Sequence, residues 1–319
     1  MNNALYQFQS PKNEPVNAYN PGSKERESLQ KELERLMGEE QEITPIIGGK
    51  EIKTGNTAKV VMPTNHQHVL ATYHKAGEEE VKMAIEASQK AKKQWSEMHF
   101  TERASIMLKI AELITTKYRY LMNASTMLGQ GKNPHQAEIE AVCEAADFLR
   151  FNVSYLNNIY SDQPISSKGI INRVEYRALE GFIFAVTPFN FTAIASNLPL
   201  SPALMGNVSL WKPSRTAILS NWFLMKIYQE AGLPDGVVNF LPGSGSTIGK
   251  EVFASPEFAG VHFTGSTAVF RNFWKIISEN MPNYKSYPRI VGETGGKDFV
   301  VAHKSADAKE LAVALVRAA

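Results

Sequence analysis

Gly181-Phe182-Ile183-Phe184-Ala185-Val186-Thr187-Pro188-Phe189-Asn190-Phe191, residues 181–191, is the stretch from which the fold can be read. Its first half is an unbroken apolar run of strand length. It stops at Pro188, whose ring fixes the backbone and withholds a ladder donor. A helical pattern follows at once over 193–205, and the alternation then repeats. Strands are expected at 208–211, 237–241, 260–263 and 298–302, separated by helices at 217–231, 247–253 and 267–279. Strands alternating with helices of this length predict a mostly parallel sheet covered on both faces, an α/β fold.

Toward the amino end the pattern differs. Residues 1–22 are polar and rich in Asn and Pro, an extended arm. Ser23 precedes a charged helix over 24–38, with Leu29, Leu33 and Leu36 at helical spacing and Gly38 as its stop. Residues 43–52 have the form of a hairpin around Gly48-Gly49, and 59–62 add a short strand before Pro63, together predicting a small sheet over one face. From 78 to about 157 the pattern is helical, broken at Gly129 and Gly131 before 136–151. Beyond Gly169 the period becomes two, and 170–176 reads as a strand. No internal repeat or low-complexity segment stands out.

A chain of 319 residues, 43% hydrophobic, can bury a large core. Its 34 Lys and Arg against 32 Asp and Glu leave a net charge of +2, too balanced for a nucleic-acid footprint. One cysteine, Cys143, excludes an intrachain disulfide framework and a multi-Cys zinc site. No apolar run reaches the roughly 18–20 residues of a membrane span. Residues 1–22 lack the marks of a signal or transit peptide, so the expected location is cytoplasmic, with a small molecule as ligand.

Ligands of open parallel sheets sit at the carboxyl ends of strands, which directs attention to Asn190, Lys212, Gly265-Ser266 and Glu293. Asn190, after a proline-fixed turn, is either a helix cap or a rigid amide donor for a developing oxyanion. Lys212 closes a strand before Pro213 and is either a solvated lysine or a contact for ribose or phosphate. Phe263-Thr264-Gly265-Ser266-Thr267 is either a capped helix start or a phosphate cradle. Gly243-Ser244-Gly245-Ser246-Thr247-Ile248-Gly249 misses the dinucleotide fingerprint by one residue and reads as a turn. Glu293, in Gly292-Glu293-Thr294-Gly295-Gly296-Lys297, is either a loop residue or a base poised by burial. Cys143, in an Ala-rich helical stretch, packs in the core, and its neighbour Glu144 sits on the wet face unless it serves a site. His66, His68 and His74 fall in one loop-like region without metal spacing, so no metal site is expected.

Taken together and in order, Thr187-Pro188-Phe189-Asn190-Phe191, Trp211-Lys212-Pro213-Ser214, Phe263-Thr264-Gly265-Ser266 and Gly292-Glu293-Thr294-Gly295-Gly296-Lys297 resemble the aldehyde dehydrogenase superfamily. Within it, the polar arm, Gly129-Gln130-Gly131-Lys132, Gln136-Ala137-Glu138-Ile139 and Asp147-Phe148-Leu149-Arg150-Phe151-Asn152 resemble the branch that oxidises L-glutamate γ-semialdehyde to L-glutamate in proline breakdown. The resemblance implies a Rossmann-type NAD-binding region preceded by a helical part. It makes Asn190 the oxyanion donor and Glu293 the base that activates water. Lys212 and Ser214 would hold the adenosine ribose, Gly265 and Ser266 would face the pyrophosphate, and Thr187, Pro188, Phe189, Gly243, Thr294 and Gly295 would complete the coenzyme site. Phe191 would line the aldehyde channel and Glu144 the substrate pocket. The implied chemistry is thiolate attack on the aldehyde, hydride transfer to NAD and hydrolysis of the thioester.

The sequence departs from that pattern twice. The family's Gly-Gln-x-Cys-type segment is absent, so the nucleophile and most of a catalytic domain are expected to lie beyond Ala319, and the 319 residues alone are expected to be inactive. Arg215 stands where relatives often carry an acidic residue near the ribose, which leaves NADP open beside NAD. The expected divisions are an arm and helix (1–40), a helical part with a small edge sheet (41–160), a strand linker for oligomerisation (161–180) and the Rossmann-like region (181–319). A homo-oligomer is implied for the full-length protein. Two other readings stay open: an aldehyde dehydrogenase for another semialdehyde, and a non-catalytic nucleotide-binding fragment.

Overall fold

The structure, a computed structural model, describes residue 8 and residues 10–296 and 298–318. Lys297, which ends the last motif quoted above, lies outside the described residues.

Helix α1 is Lys24–Gly38, with the Ser23 hydroxyl accepting from Arg26 N at 3.2 Å and Leu29 and Leu36 turned into the core. Five short strands follow: β1 Gln41–Ile43, β2 Ile46–Ile47, β3 Lys50–Glu51, β4 Thr57–Met62 and β5 Asn65–His74. The helical tract comprises α2 Glu78–Glu97, α3 Phe100–Thr115, α4 Arg119–Gln130, α5 Pro134–Ala137, a π-helix Glu138–Glu144 and α6 Ala145–Ser161. Then come β6 Phe182–Val186, α7 Thr192–Leu204, β7 Val208–Lys212, α8 Ile218–Glu230 and β8 Val238–Phe240. The described chain closes with α9 Gly245–Ala254, β9 Phe258–Gly265, α10 Thr267–Asn280, β10 Arg289–Thr294 and α11 Ala308–Ala318.

The large sheet has the order β10-β9-β6-β7-β8-β2-β3, and the first five of these run parallel. The chain steps from β6 to β7 to β8 in one direction, then returns to β9 and β10 on the other side of β6. Strand order therefore reverses between β6 and β9, where a ligand crevice opens in sheets of this kind. All five β6 residues are buried, as their apolar run requires of a strand covered on both faces. Trp211 of β7 stacks on Tyr228 of α8 at 5.8 Å and meets Phe240 of β8 edge-on at 5.0 Å. Burial of each such side chain contributes about 1.5–3 kcal/mol or more. Among the helices α3 packs on α6, α6 on α7 and α1 on α4.

The structure corrects several sequence expectations. The hairpin at Gly48-Gly49 and the strand near 59–62 do not share one small sheet. The hairpin extends the large sheet, pinned by Gly48 N to Asn239 Oδ1 at 2.8 Å and Gln229 Nε2 to Gly49 O at 3.1 Å. β4 pairs instead with β5 in a separate sheet of order β1-β5-β4. His66, His68 and His74 accordingly lie on strand β5, not in a loop. Gly129 does not break α4: it lies within the helix, facing Leu219 of α8. Gly131, at φ 72°, ends the helix in the left-handed conformation.

Residues 170–176 form no strand, and Ile171 is 82% exposed, since no strand among the described residues pairs with them. Residues 298–302 form no strand either, with Phe299 83% exposed. The strand lies just before them, at β10, whose only strongly apolar residues are Ile290 and Val291. Its position comes from register with β9, Arg289 opposite Gly260, and not from an apolar run.

Candidate active site at the carboxyl edge of the sheet

Register fixes which side chains share the crevice. Val186 at the end of β6 pairs with Phe263 on one side and with Lys212 on the other. Gly265 at the end of β9 pairs with Thr294, and Thr264 with Glu293. Thr187, Lys212, Gly265, Glu293 and Thr294 thus line up along one edge of the sheet, with Asn190 and Ser266 in the connections that leave it.

The turn after β6 is held from both sides. Thr187 is buried: its N–H donates to Lys212 O at 3.2 Å and its hydroxyl accepts from Trp211 Nε1 at 3.1 Å. Pro188 is buried, after which Phe189 and Asn190 turn outward. Phe191, not Asn190, is the N-cap residue of α7, so the capping role is not taken by Asn190. Among the described residues no hydrogen bond engages the Asn190 amide, which stands exposed and able to donate.

Lys212 is partly buried, has no carboxylate or acceptor partner among the described residues, and burial pushes its ammonium below the ordinary lysine value. An ammonium in that state gains by taking an anionic or hydroxyl-rich ligand. Ser214 follows after Pro213, its hydroxyl 3.5 Å from that of Thr216. Ser266 caps α10, accepting from Val269 N at 3.3 Å, so the helix start is capped as well as glycine-flanked.

Gly265 and Gly292 share a different reason for being glycine. A Cβ on Gly265 would lie 2.6 Å from the ring of Phe263, and one on Gly292 would overlap Phe270, while these two rings stack at 5.7 Å. Gly243 is explained by the backbone of Ala76, whose carbonyl oxygen a Cβ would approach to 2.8 Å. Glu293 is exposed, so the burial expected to poise it is not supplied by these residues. Gly295, at φ 71°, turns the chain away after Thr294.

Three residues behind the edge escaped the reading of strand ends. The Gln130 side chain donates from Nε2 to Phe189 O at 3.0 Å and accepts from the Thr192 and Ser220 hydroxyls at 2.9 and 3.0 Å, tying the Asn190 turn to α4 and α8. Glu140 accepts from Ala193 N at 3.2 Å at the start of α7 and from Lys132 Nζ at 2.8 Å. Burial raises the Glu140 carboxyl, with Lys132 and the α7 amides working against the rise. Lys132 lies 4.2 Å from the centre of the Phe191 ring. Gln130 and Lys132 stood in the Gly129-Gln130-Gly131-Lys132 segment, where spacing alone gave no sign of their partners.

Glu140 belongs to the π-helix, whose wider turn directs Glu138, Glu140 and Glu144 to different neighbours. Glu144 is half-buried and faces a cleft of roughly 700 Å³ that it shares with Glu14, Phe148, Asn152, Tyr155 and Asn197. Burial raises its carboxyl, Lys132 lowers it and Asp147 adds to the rise. It is not on a wet face. Glu138 is fully buried and accepts from Asn17 N at 2.8 Å, Tyr19 OH at 2.7 Å, Asn123 Nδ2 at 2.8 Å and Arg119 Nε at 3.1 Å. Arg119 also donates to Glu14 at 2.7 Å and to Pro15 O at 2.7 Å, so this stretch of the polar arm is clamped onto the helices. Cys143 is buried beside this network, and burial with the Glu138 charge pushes its thiol up to about 12, far from a reactive thiolate.

A parallel sheet whose strand order reverses at β6 and β9, with an unpartnered lysine, a free amide and a carboxylate along its carboxyl edge, has the arrangement of a nucleotide-dependent oxidoreductase. The model of the aldehyde dehydrogenase family matches residues 51–319, and the chain belongs to the aldehyde dehydrogenase family. It is similar to the probable delta-1-pyrroline-5-carboxylate dehydrogenase of Schizosaccharomyces pombe, 50% identical over 320 residues, covering 99% of this chain and 58% of that protein. The mitochondrial delta-1-pyrroline-5-carboxylate dehydrogenase of Homo sapiens is 42% identical over 307 residues, covering 96% of this chain and 54% of that protein. Among solved structures, the Delta-pyrroline-5-carboxylate dehydrogenase of Mycobacterium tuberculosis bound with NAD aligns with a TM-score of 0.96 at 46% identity, covering 99% of this chain and 59% of that one. The chain thus spans somewhat over half the length of these relatives.

Proposed function

We propose that the protein oxidises L-glutamate γ-semialdehyde, the open form of Δ1-pyrroline-5-carboxylate, to L-glutamate with a nicotinamide nucleotide as oxidant. The observation that carries the reading is the shared edge: register sets Lys212, Gly265, Glu293 and Thr294 in line beside the Asn190 turn. The identity to the S. pombe, human and M. tuberculosis proteins supports the choice of aldehyde.

In this scheme the bound nucleotide supplies the hydride acceptor. Lys212 and Ser214 hold its adenosine ribose, and Gly265 and Ser266 face its pyrophosphate. Thr187, Pro188, Phe189, Gly243, Thr294 and Gly295 complete that wall. The Asn190 amide donates to the carbonyl oxygen as negative charge gathers there, an interaction worth about 2.7–4 kcal/mol for one such donor. Glu293 takes a proton from the water that completes the carboxylate. Phe191 and Glu144 border the path of the aldehyde. Cys143 does not serve as nucleophile, so the thiolate this chemistry uses comes from outside the 319 residues.

We further propose a homo-oligomer in which the exposed segment around Ile165 and Ile171 meets a second copy. No helix among the described residues is long and apolar enough to cross a membrane. The proposed compartment is the cytoplasm; several relatives are named mitochondrial, and imaging of the tagged protein separates the two.

The test is steady-state reduction of the nucleotide by the full-length gene product, with glutamate semialdehyde against succinate semialdehyde. We expect glutamate semialdehyde to be preferred by about tenfold or more in kcat/KM. Asn190→Ala should lower kcat by about 100-fold. An equal or greater rate with succinate semialdehyde would assign the enzyme to another aldehyde. Nucleotide binding without oxidation of either would leave a non-catalytic nucleotide-binding protein.

A further inference from the structure

We propose that Lys132 is a positioning residue for the oxidation: held against Glu140, it fixes the Phe191 side of the turn that carries Asn190 and so sets where the Asn190 amide meets the developing oxyanion. This rests on the oxyanion reading of Asn190.

Asn190 has to be placed by its neighbours. Its side chain is exposed and engages in no hydrogen bond among the described residues, so its aim follows from the residues on either side of it. A donor helps the transition state most when it is aimed before the charge appears. Phe189 is held by Gln130, whose Nε2 donates to the Phe189 carbonyl at 3.0 Å. Phe191 is held by Lys132, whose ammonium lies 4.2 Å from the centre of the ring. Both grips come from one short segment, since residues 130 and 132 flank Gly131 as residues 189 and 191 flank Asn190.

Lys132 is itself fixed at both ends. Gly131 closes α4 at φ 72°, its N–H donating to Met127 O at 3.0 Å. Asn133 opens α5 with a reciprocal cap, its side chain accepting from Gln136 N at 2.9 Å and its N–H donating to Gln136 Oε1 at 3.1 Å. The lysine side chain between these caps is 16% exposed and donates at 2.8 Å to Glu140, whose side chain is 3% exposed. Among the described residues no other cation pairs with Glu140. Glu140 in turn accepts from Ala193 N at 3.2 Å, so the ion pair holds the start of α7 as well as the Phe191 ring. An ammonium withdrawn from water in this way grips an aromatic face more firmly than a solvated one.

The experiment is steady-state kinetics of the full-length gene product, comparing wild type, Lys132→Met, Asn190→Ala and the two substitutions combined. Lys132→Met should lower kcat about tenfold and move KM by less than about threefold, because a misplaced donor is felt in the transition state and not in substrate binding. In the presence of Asn190→Ala the same substitution should cost less than about twofold, since the donor it positions is already gone. Lys132→Met with Glu140→Gln removes the pair without stranding a buried carboxylate, and the same two comparisons are expected of it should the single variant fail to fold. An unchanged kcat, or a loss of equal size with and without Asn190→Ala, would overturn the positioning role and leave the oxyanion reading intact. The ratios are read with whichever semialdehyde the wild type prefers, so the choice of aldehyde can fail while this inference stands. A wild-type enzyme that oxidises neither glutamate semialdehyde nor succinate semialdehyde would overturn the oxyanion reading and this inference with it.

Discussion

Glu138 has no exposed surface and holds its charge only because Arg119, Tyr19, Asn17 and Asn123 direct donors at it. Burial works to raise its carboxyl, and these hydrogen bonds outweigh that, leaving the folded value below the ordinary one. The sign of the pH dependence follows. The contribution of Glu138 to stability is complete above the unfolded value of about 4.3 and is lost as pH falls through the lower folded value. Glu138→Gln keeps the shape but leaves Arg119 without its buried counter-charge, at a cost of about 3 kcal/mol at neutral pH in urea unfolding. The gap between variant and wild type should close as pH falls below about 4. A gap that persists unchanged in acid would mean that Glu138 acts through packing and not through charge.

At the scale of elements, α4 and the π-helix act as a bracket behind the β6–α7 turn. Gln130, at the end of α4, is the piece that joins Phe189 to Thr192 and Ser220. Gln130→Ala frees the Phe189 carbonyl and removes one acceptor from the two hydroxyls, which keep each other at 3.2 Å, with Thr126 beside Thr192 and the Ala217 carbonyl beside Ser220. The expected cost is about 1–3 kcal/mol in thermal unfolding, with faster amide exchange over 189–192 than elsewhere. Unchanged exchange there would show that Pro188 and Trp211 hold the turn without Gln130. Elements differed in how far sequence revealed them. β6 was legible because burial on both faces writes an apolar run, and α1 because Ser23 and its leucines follow helical rules. β10 was not, since an edge strand with Gly292, Glu293 and Thr294 takes its place from register with β9. β5 was hidden by His66, Gln67 and His68 at its outer end. The strand-end motifs pointed to the candidate site, but Gln130, Lys132 and Glu140 approach it from α4, the connection after it and the π-helix, far away in sequence, a relation that spacing does not record.

For the whole molecule, residues 13–19 ahead of α1 are a structural member, not a loose extension. Asn13 and the Glu14 N–H both donate to Asp147 at 2.8 Å, Arg150 donates to Glu14 at 2.8 Å, and Arg119 gathers Glu14, Pro15 and Glu138. Removal of the first 20 residues strips Arg119 and Glu138 of most of these partners and opens the cleft next to Glu144. We expect a loss of about 3–5 kcal/mol in urea unfolding and faster proteolysis of α6. A truncated chain as stable as the whole would make the clamp incidental. The clamp also carries a consequence for the order of events during synthesis. Glu14 and Arg150 are 136 positions apart. At 5–20 residues per second a ribosome needs roughly 7 to 27 s to cover that distance. During that interval Glu14 and Tyr19 have emerged while their partners have not. Contacts of such long separation form late because closing the intervening loop is costly until α4 and α6 have packed. The earliest part of the described chain to leave the ribosome is therefore among the last to find its place, and a nascent chain halted before Arg150 should expose the arm to a chaperone or a protease.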